Sequence, residues 1–138
     1  MMKKQLIALI MPLMLLAACT HPGGDIGIWF GSWHVESITC NGTELTYDGD
    51  YYFQFQSTNF RLSWVGDYEE DVENYGVWSE TDNRLYISFP DENYQYLHMP
   101  GLGVSNDLTI VSKQDKRVEL SLTNANGDTY VIVIKKLT

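Results

Sequence analysis

The chain has 138 residues, 44% hydrophobic and 20% charged, with nine Tyr, four Trp and five Phe, a size and composition that suit one globular domain. Its formal charge of −9 becomes −11 once the first 18 residues are set aside, because 18 Asp and Glu then face seven Lys and Arg. This balance excludes nucleic acid as a partner, since phosphate binding rests on Lys and Arg. An aromatic content of 13% excludes a disordered chain, because it offers enough apolar surface to offset the entropy of ordering.

Residues 1–18 combine Lys3 and Lys4, an apolar run from Leu6 to Leu16, and the small residues Ala17 and Ala18, which is the organisation of a secretory signal peptide. The run is too short for a spanning helix, which needs about 20 apolar residues. Leu16-Ala17-Ala18-Cys19 resembles the lipobox of bacterial lipoproteins. The resemblance implies a diacylglycerol on the Cys19 thiol, cleavage before Cys19, and acylation of the new amino terminus by a fatty acid such as palmitate. Several acyl chains on one residue hold a protein stably, at roughly 0.8 kcal/mol per buried methylene. Residues 19–27 are then the lipidated Cys and a short polar tether, with the domain over 28–138. Thr20, rather than Asp, after the Cys is compatible with sorting to the outer membrane, so the expected address is the cell envelope. Lipidation of Cys19 leaves Cys40 without an intramolecular disulfide partner.

From Trp29 onward, short runs of β-branched and aromatic residues alternate with turn signals every eight to twelve residues, a spacing that predicts an all-β fold with no long helix. Strands are predicted over 28–39, 51–57, 60–65, 74–80, 84–90, 94–99, 107–112, 117–123 and 128–136. Tyr51, Phe53 and Phe55 share one face, as do Phe60, Leu62 and Trp64, then Leu85, Ile87 and Phe89, then Val118, Leu120 and Leu122. Asn41-Gly42, Asp48-Gly49, Thr81-Asp82-Asn83 and Asn126-Gly127 supply turn chemistry. Consecutive strands joined by short turns form an up-and-down meander, and eight or more of them remove their exposed edges by closing into a barrel. The acidic stretch from Asp67 to Asn74 and the loop from Pro100 to Asn106 interrupt the pattern, and longer loops are where binding concentrates.

Gly31-Ser32-Trp33 opens the first strand, and it is followed by Asn41-Gly42, a Phe-rich strand, Tyr75-Gly76-Val77-Trp78, Asn83-Arg84-Leu85-Tyr86-Ile87 and a closing strand ending in Lys135-Lys136-Leu137. Over residues 28–137 this order is similar to small lipocalin-like bacterial lipoproteins. The resemblance implies a single antiparallel barrel of lipocalin type with eight to ten strands. It also gives Gly31 and Trp33 a structural role, with Trp33 closing one end beneath a basic residue of the last strand, Lys135 or Lys136.

No Ser-His-acid arrangement, paired metal-ligand spacing or Gly-rich phosphate loop is present, so the expectation is a non-catalytic protein without cofactor or metal. Asp67, Glu69, Glu70, Asp71 and Glu73 carry oxygens of the kind Ca²⁺ takes, but their spacing reads as a solvated acidic loop. The aromatics Tyr52, Tyr68, Trp78, Tyr86, Tyr94 and Tyr96 either fill barrel layers or present flat rings to a ligand or partner. Two functions follow. One is binding of a small apolar or aromatic ligand in the barrel mouth near Trp64, Trp78, Tyr86 and Tyr96. The other is a protein-interaction module, such as an envelope inhibitor or accessory subunit, with a packed barrel and the acidic loop Asp67 to Glu73 as its binding element. An open apolar cavity of roughly 300 Å³ or more favours the ligand; a filled core with an exposed aromatic or acidic patch favours the partner.

Overall fold

The computed structural model describes residues 27–66, 72–90 and 99–137. Nine strands follow in chain order: β1 (Gly31–Cys40), β2 (Thr43–Glu44), β3 (Asp50–Gln56), β4 (Asn59–Val65), β5 (Val72–Thr81), β6 (Arg84–Ser88), β7 (Ser105–Gln114), β8 (Arg117–Thr123) and β9 (Thr129–Lys136). Every pairing is antiparallel, and β1 pairs with both β3 and β9. Eight strands therefore close into an up-and-down barrel. The two-residue β2 forms a hairpin on the end of β1, across a turn in which Asn41 (φ 51°) and Gly42 (φ 84°) both take the left-handed conformation, as the primed hairpin turns require.

Alternation decides which side chains fill the barrel. Trp33 and Val35 on β1, Tyr51, Phe53 and Phe55 on β3, Phe60 and Leu62 on β4, Leu85 and Ile87 on β6, Val118, Leu120 and Leu122 on β8, and Ile132 and Ile134 on β9 are all buried. Each such side chain contributes on the order of 1.5–3 kcal/mol relative to exposure. Bulges shift the phase at two places. Between Val35 and Ser37 the register slips, so the next buried residue of β1 is Ile38; between Ile110 and Ser112 a second slip makes the exposed Val111 the unpaired extra residue of β7.

The two ends of the barrel differ. At one, the turns at 57–58, 82–83 and 115–116 have two residues each; at the other lie the connections 41–49, 66–71, 89–104 and 124–128. We call these the closed end and the loop end. β6 pairs directly with β7 from Arg84↔Thr109 to Ser88↔Ser105, and the strand predicted over 94–99 falls between them in the chain. Residues 94–98 lie outside the described residues, and Met99 sits in a bend, buried. Glu73, expected in the acidic loop, instead belongs to β5 opposite Ser63; residues 67–71 lie outside the described residues. Among the described residues no helix is long and apolar enough to cross a membrane.

Candidate functional site

The closed end is built from aromatics. Residues 27–30 run under the barrel, placing the Trp29 ring 6.1 Å from Trp33, 5.1 Å from Phe55 and 6.2 Å from Trp78. The Trp33 indole N–H donates to the Trp29 carbonyl at 3.0 Å. Lys136, and not Lys135, lies over the Trp33 ring at 5.3 Å and donates to the Ile28 carbonyl at 2.6 Å. Gly31, at φ 112°, takes a backbone conformation that side chains rarely adopt.

The residues expected to share one barrel mouth do not come together. Trp64 ends β4 at the loop end, where its indole N–H donates to the Asp48 carbonyl at 2.8 Å. A side chain at Gly49 or Gly66 would strike its ring, a Cβ falling 2.8 Å and 2.5 Å away respectively. Trp78 packs at the closed end against Phe55, at 5.0 Å. The cause is the meander: β4 and β5 run in opposite directions, with Trp64 opposite Val72 and Asn59 opposite Val77, so late positions on consecutive strands lie at opposite ends. Tyr86, paired with Ser79, faces outward. Tyr96 and Cys19 lie outside the described residues.

The interior is occupied along its length by described side chains, from Trp33 and Phe55 at one end to Tyr51, Leu122 and Met99 at the other. Burial pushes the hydroxyls of Tyr47 and Tyr51 above the ordinary value near 10, helped for Tyr47 by Asp50, Glu36 and Glu44, and for Tyr51 by Tyr47. Their rings lie 5.2 Å apart. Cys40, opposite Tyr130 across β1 and β9, raises the Tyr130 hydroxyl chiefly by a hydrogen bond. Among the described residues, His, Cys, Asp and Glu do not gather in threes able to hold a metal ion.

What stands out lies on the outer wall of β5 and β6. Tyr75 is 55%, Val77 51% and Tyr86 40% exposed. Tyr75 and Val77 alternate on one face of β5, while Tyr86 sits diagonally across from Val77 on β6, within reach for long side chains. Gly76 makes this wall possible: a Cβ there would fall 2.2 Å from the Ser88 carbonyl oxygen and 3.0 Å from the Phe89 ring. Grooves flank the strip. One of about 420 Å³ runs between Gln54, Arg61 and Tyr75, one of about 460 Å³ lies over Gly76 beside Phe89 and Pro90, and one of about 450 Å³ lies between Val77, Tyr86 and Asp107. Polar groups border them: Arg61 is 3.6 Å from Glu73, whose carboxylate accepts from the Tyr75 hydroxyl, and Arg84 is 3.3 Å from Asp107. Period-2 alternation placed Tyr86 among the candidates but passed over Tyr75 and Val77.

Three solved structures share this architecture. A lipocalin-like protein from Bacteroides uniformis superposes with a TM-score of 0.64 at 15% identity, over 80% of this chain and 100% of that one. The fold is lipocalin-like. An uncharacterized protein from Bacteroides eggerthii gives a TM-score of 0.58 at 19% identity, over 76% of this chain and 98% of that one. A redesigned beta barrel gives 0.51 at 14%, over 80% and 93%. At these identities the likeness is one of fold, which a binding function does not follow from. No protein-family model and no curated protein matches the lipocalin-like chain.

Proposed function

We propose that this lipocalin-like chain is a bacterial lipoprotein, exported by its signal peptide and anchored in the cell envelope, at the outer membrane, through fatty acids on Cys19. Its role is non-catalytic binding, and its partner is another protein seated on the β5–β6 wall, as for an envelope inhibitor or accessory subunit. The observation that carries this reading is an exposed strip of Tyr75, Val77 and Tyr86 beside a barrel whose inward positions, among the described residues, carry buried apolar side chains. Apolar anchors ringed by Arg61, Glu73, Arg84 and Asp107 have the anatomy of an interface, where Tyr and Arg supply most of the binding energy. The charge of −11 after Ala18 steers a basic partner and makes its association salt-sensitive.

A photo-crosslinking residue at Val77 tests this in whole cells. Capture of one discrete protein from Val77, and not from Val133 on β9, four strands round the barrel from β5, supports the reading; equal labelling at both positions overturns it. A second reading, a small apolar or aromatic ligand at the loop end, is favoured by a cleft of about 540 Å³ between Leu102, Leu122 and Tyr130. A small molecule that co-purifies and is lost on Tyr130→Ala would support it.

A further inference from the structure

The charges of the barrel are segregated along its axis. The four segments that join strands at the loop end, 41–49, 66–71, 89–104 and 124–128, carry nine Asp and Glu and no Lys or Arg in the sequence, of which Glu44, Asp48 and Asp128 are among the described residues. Six of the seven Lys and Arg after Cys19, namely Arg84, Lys113, Lys116, Arg117, Lys135 and Lys136, lie at or near the closed end. Acidic residues share that end: Glu80 with Lys113 at 2.7 Å, Glu119 with Arg117 at 4.0 Å, Asp107 with Arg84 at 3.3 Å, and Asp82 and Asp115 in the turns. Among the described residues the cations outnumber these acids by one.

One arrangement at this end is costly in isolation. Arg117 pairs directly with Lys135, and Lys135 with His34, forming a cross-strand row of which two members are permanent cations; Glu119 lies 4.0 Å from Arg117, and Asp50, on the side of β1 away from Lys135, and Glu36 lie 3.0 Å and 3.5 Å from His34. Like charges directly opposite destabilise a sheet. Beside the row stand two exposed apolar side chains, Phe30 at 61% and Leu137 at 53%. Leu137 is held there by its backbone N–H, which donates to the Ser32 carbonyl at 3.0 Å.

The chain from Cys19 reaches the barrel at this same end, because Ile28 and Trp29 are fixed beneath it by Lys136 and Trp33. Eight residue steps separate Cys19 from Gly27, and covalent geometry limits them to about 30 Å. A lipid on Cys19 therefore keeps the closed end within a few Debye lengths of the bilayer, each about 8 Å at physiological salt, at a high effective concentration.

We propose that the closed end docks on an anionic lipid surface, Lys116, Arg117 and Lys135 facing headgroups and Phe30 and Leu137 the interfacial layer, so that the acidic loop end points away from the membrane. The inference rests on the lipid anchor proposed above. Docking relieves the Arg117–Lys135 repulsion, since an anionic surface attracts each cation held near it.

The test uses protein purified from its host's membranes and returned to vesicles of phosphatidylcholine, with or without phosphatidylglycerol. Amide hydrogen exchange is expected to slow about tenfold at the 115–116 turn and at Leu137 on phosphatidylglycerol alone. The turns at 41–42 and 124–128 are expected to remain unchanged. A Lys116→Glu/Lys135→Glu variant, and its Gln counterpart as a milder control of folding, should lose that protection. Protection that is independent of phosphatidylglycerol, survives charge reversal, or appears at the loop end overturns the inference. The intact mass of the same preparation reports the acyl chains separately. If they are missing, the anchor reading fails, and co-sedimentation of the unlipidated protein judges the docking face alone: phosphatidylglycerol-dependent binding that falls at least tenfold on charge reversal upholds it, and its absence overturns it.

Discussion

The ammonium of Lys136 lies 5.3 Å from the centre of the Trp33 ring and donates to the Ile28 carbonyl, so one side chain of the last strand ties the first strand to the segment that precedes it. Trp33 is wholly buried and also holds Trp29 through its indole N–H. Trp33→Ala should cost about 3–5 kcal/mol, the range for large aromatic truncations in cores. Lys136→Met keeps the stem and removes the charge, and should cost about 1–2 kcal/mol from the lost cation–π contact and hydrogen bond. Urea unfolding of both variants checks the order; a Lys136→Met loss as large as that of Trp33→Ala would contradict it.

At the loop end Gly49 forms part of the cradle of the Trp64 ring. Gly49 has φ 72°, and a Cβ there would fall 2.5 Å from the Val65 carbonyl oxygen. Gly49→Ala should therefore destabilise by more than about 1 kcal/mol and expose the Trp64 indole, which iodide quenching of fluorescence reports. Unaltered stability and quenching would show that the ring does not depend on this cradle.

Tyr47 and Tyr51 titrate above their ordinary value, both chiefly through burial. A group whose folded pKa is raised contributes stability that is complete below the unfolded value, near 10, and is lost as pH rises through the folded value. Acid should leave this contribution intact, while alkali above about pH 10 removes it. Tyr47→Phe/Tyr51→Phe should flatten the alkaline limb of a stability–pH profile, and tyrosinate absorbance of the parent should show a late-titrating class. A profile identical in parent and variant would contradict this.

The strands were legible because apolar and polar residues alternate cleanly on β3, β4, β6 and β8, and the turns because Asn41-Gly42 and Asn126-Gly127 carry their own conformational preference. The barrel's closure followed from strand count and short connections. The binding wall was not legible, for a reason visible on β5. There the inward positions are Asn74, Gly76 and Trp78, and the outward ones Tyr75, Val77 and Ser79, so hydrophobicity alone does not say which side is the core. That assignment depends on Phe89, which folds over Gly76 from the connection after β6. The separation of Trp64 from Trp78, by contrast, was implicit in the meander's alternating strand direction.

The wall's independence from the core makes a prediction of its own. Val77→Asp and Tyr86→Ala change exposed positions and should alter stability by no more than about 0.5 kcal/mol. The same changes should weaken partner binding by about 2 kcal/mol or more each, the scale of an interface hot spot. Binding loss accompanied by an equal loss of fold stability would assign these side chains to the core instead.

The central claim is that the chain binds a protein on its outer wall while its barrel is filled. Native mass spectrometry of the protein released from its own host's membranes, beside its Val77→Asp variant and with detergent controls, addresses this most directly. The account predicts a stoichiometric protein partner in the parent that is missing from the variant, with no small molecule retained by either. A small molecule bound equally by parent and variant, with no protein partner, would contradict it.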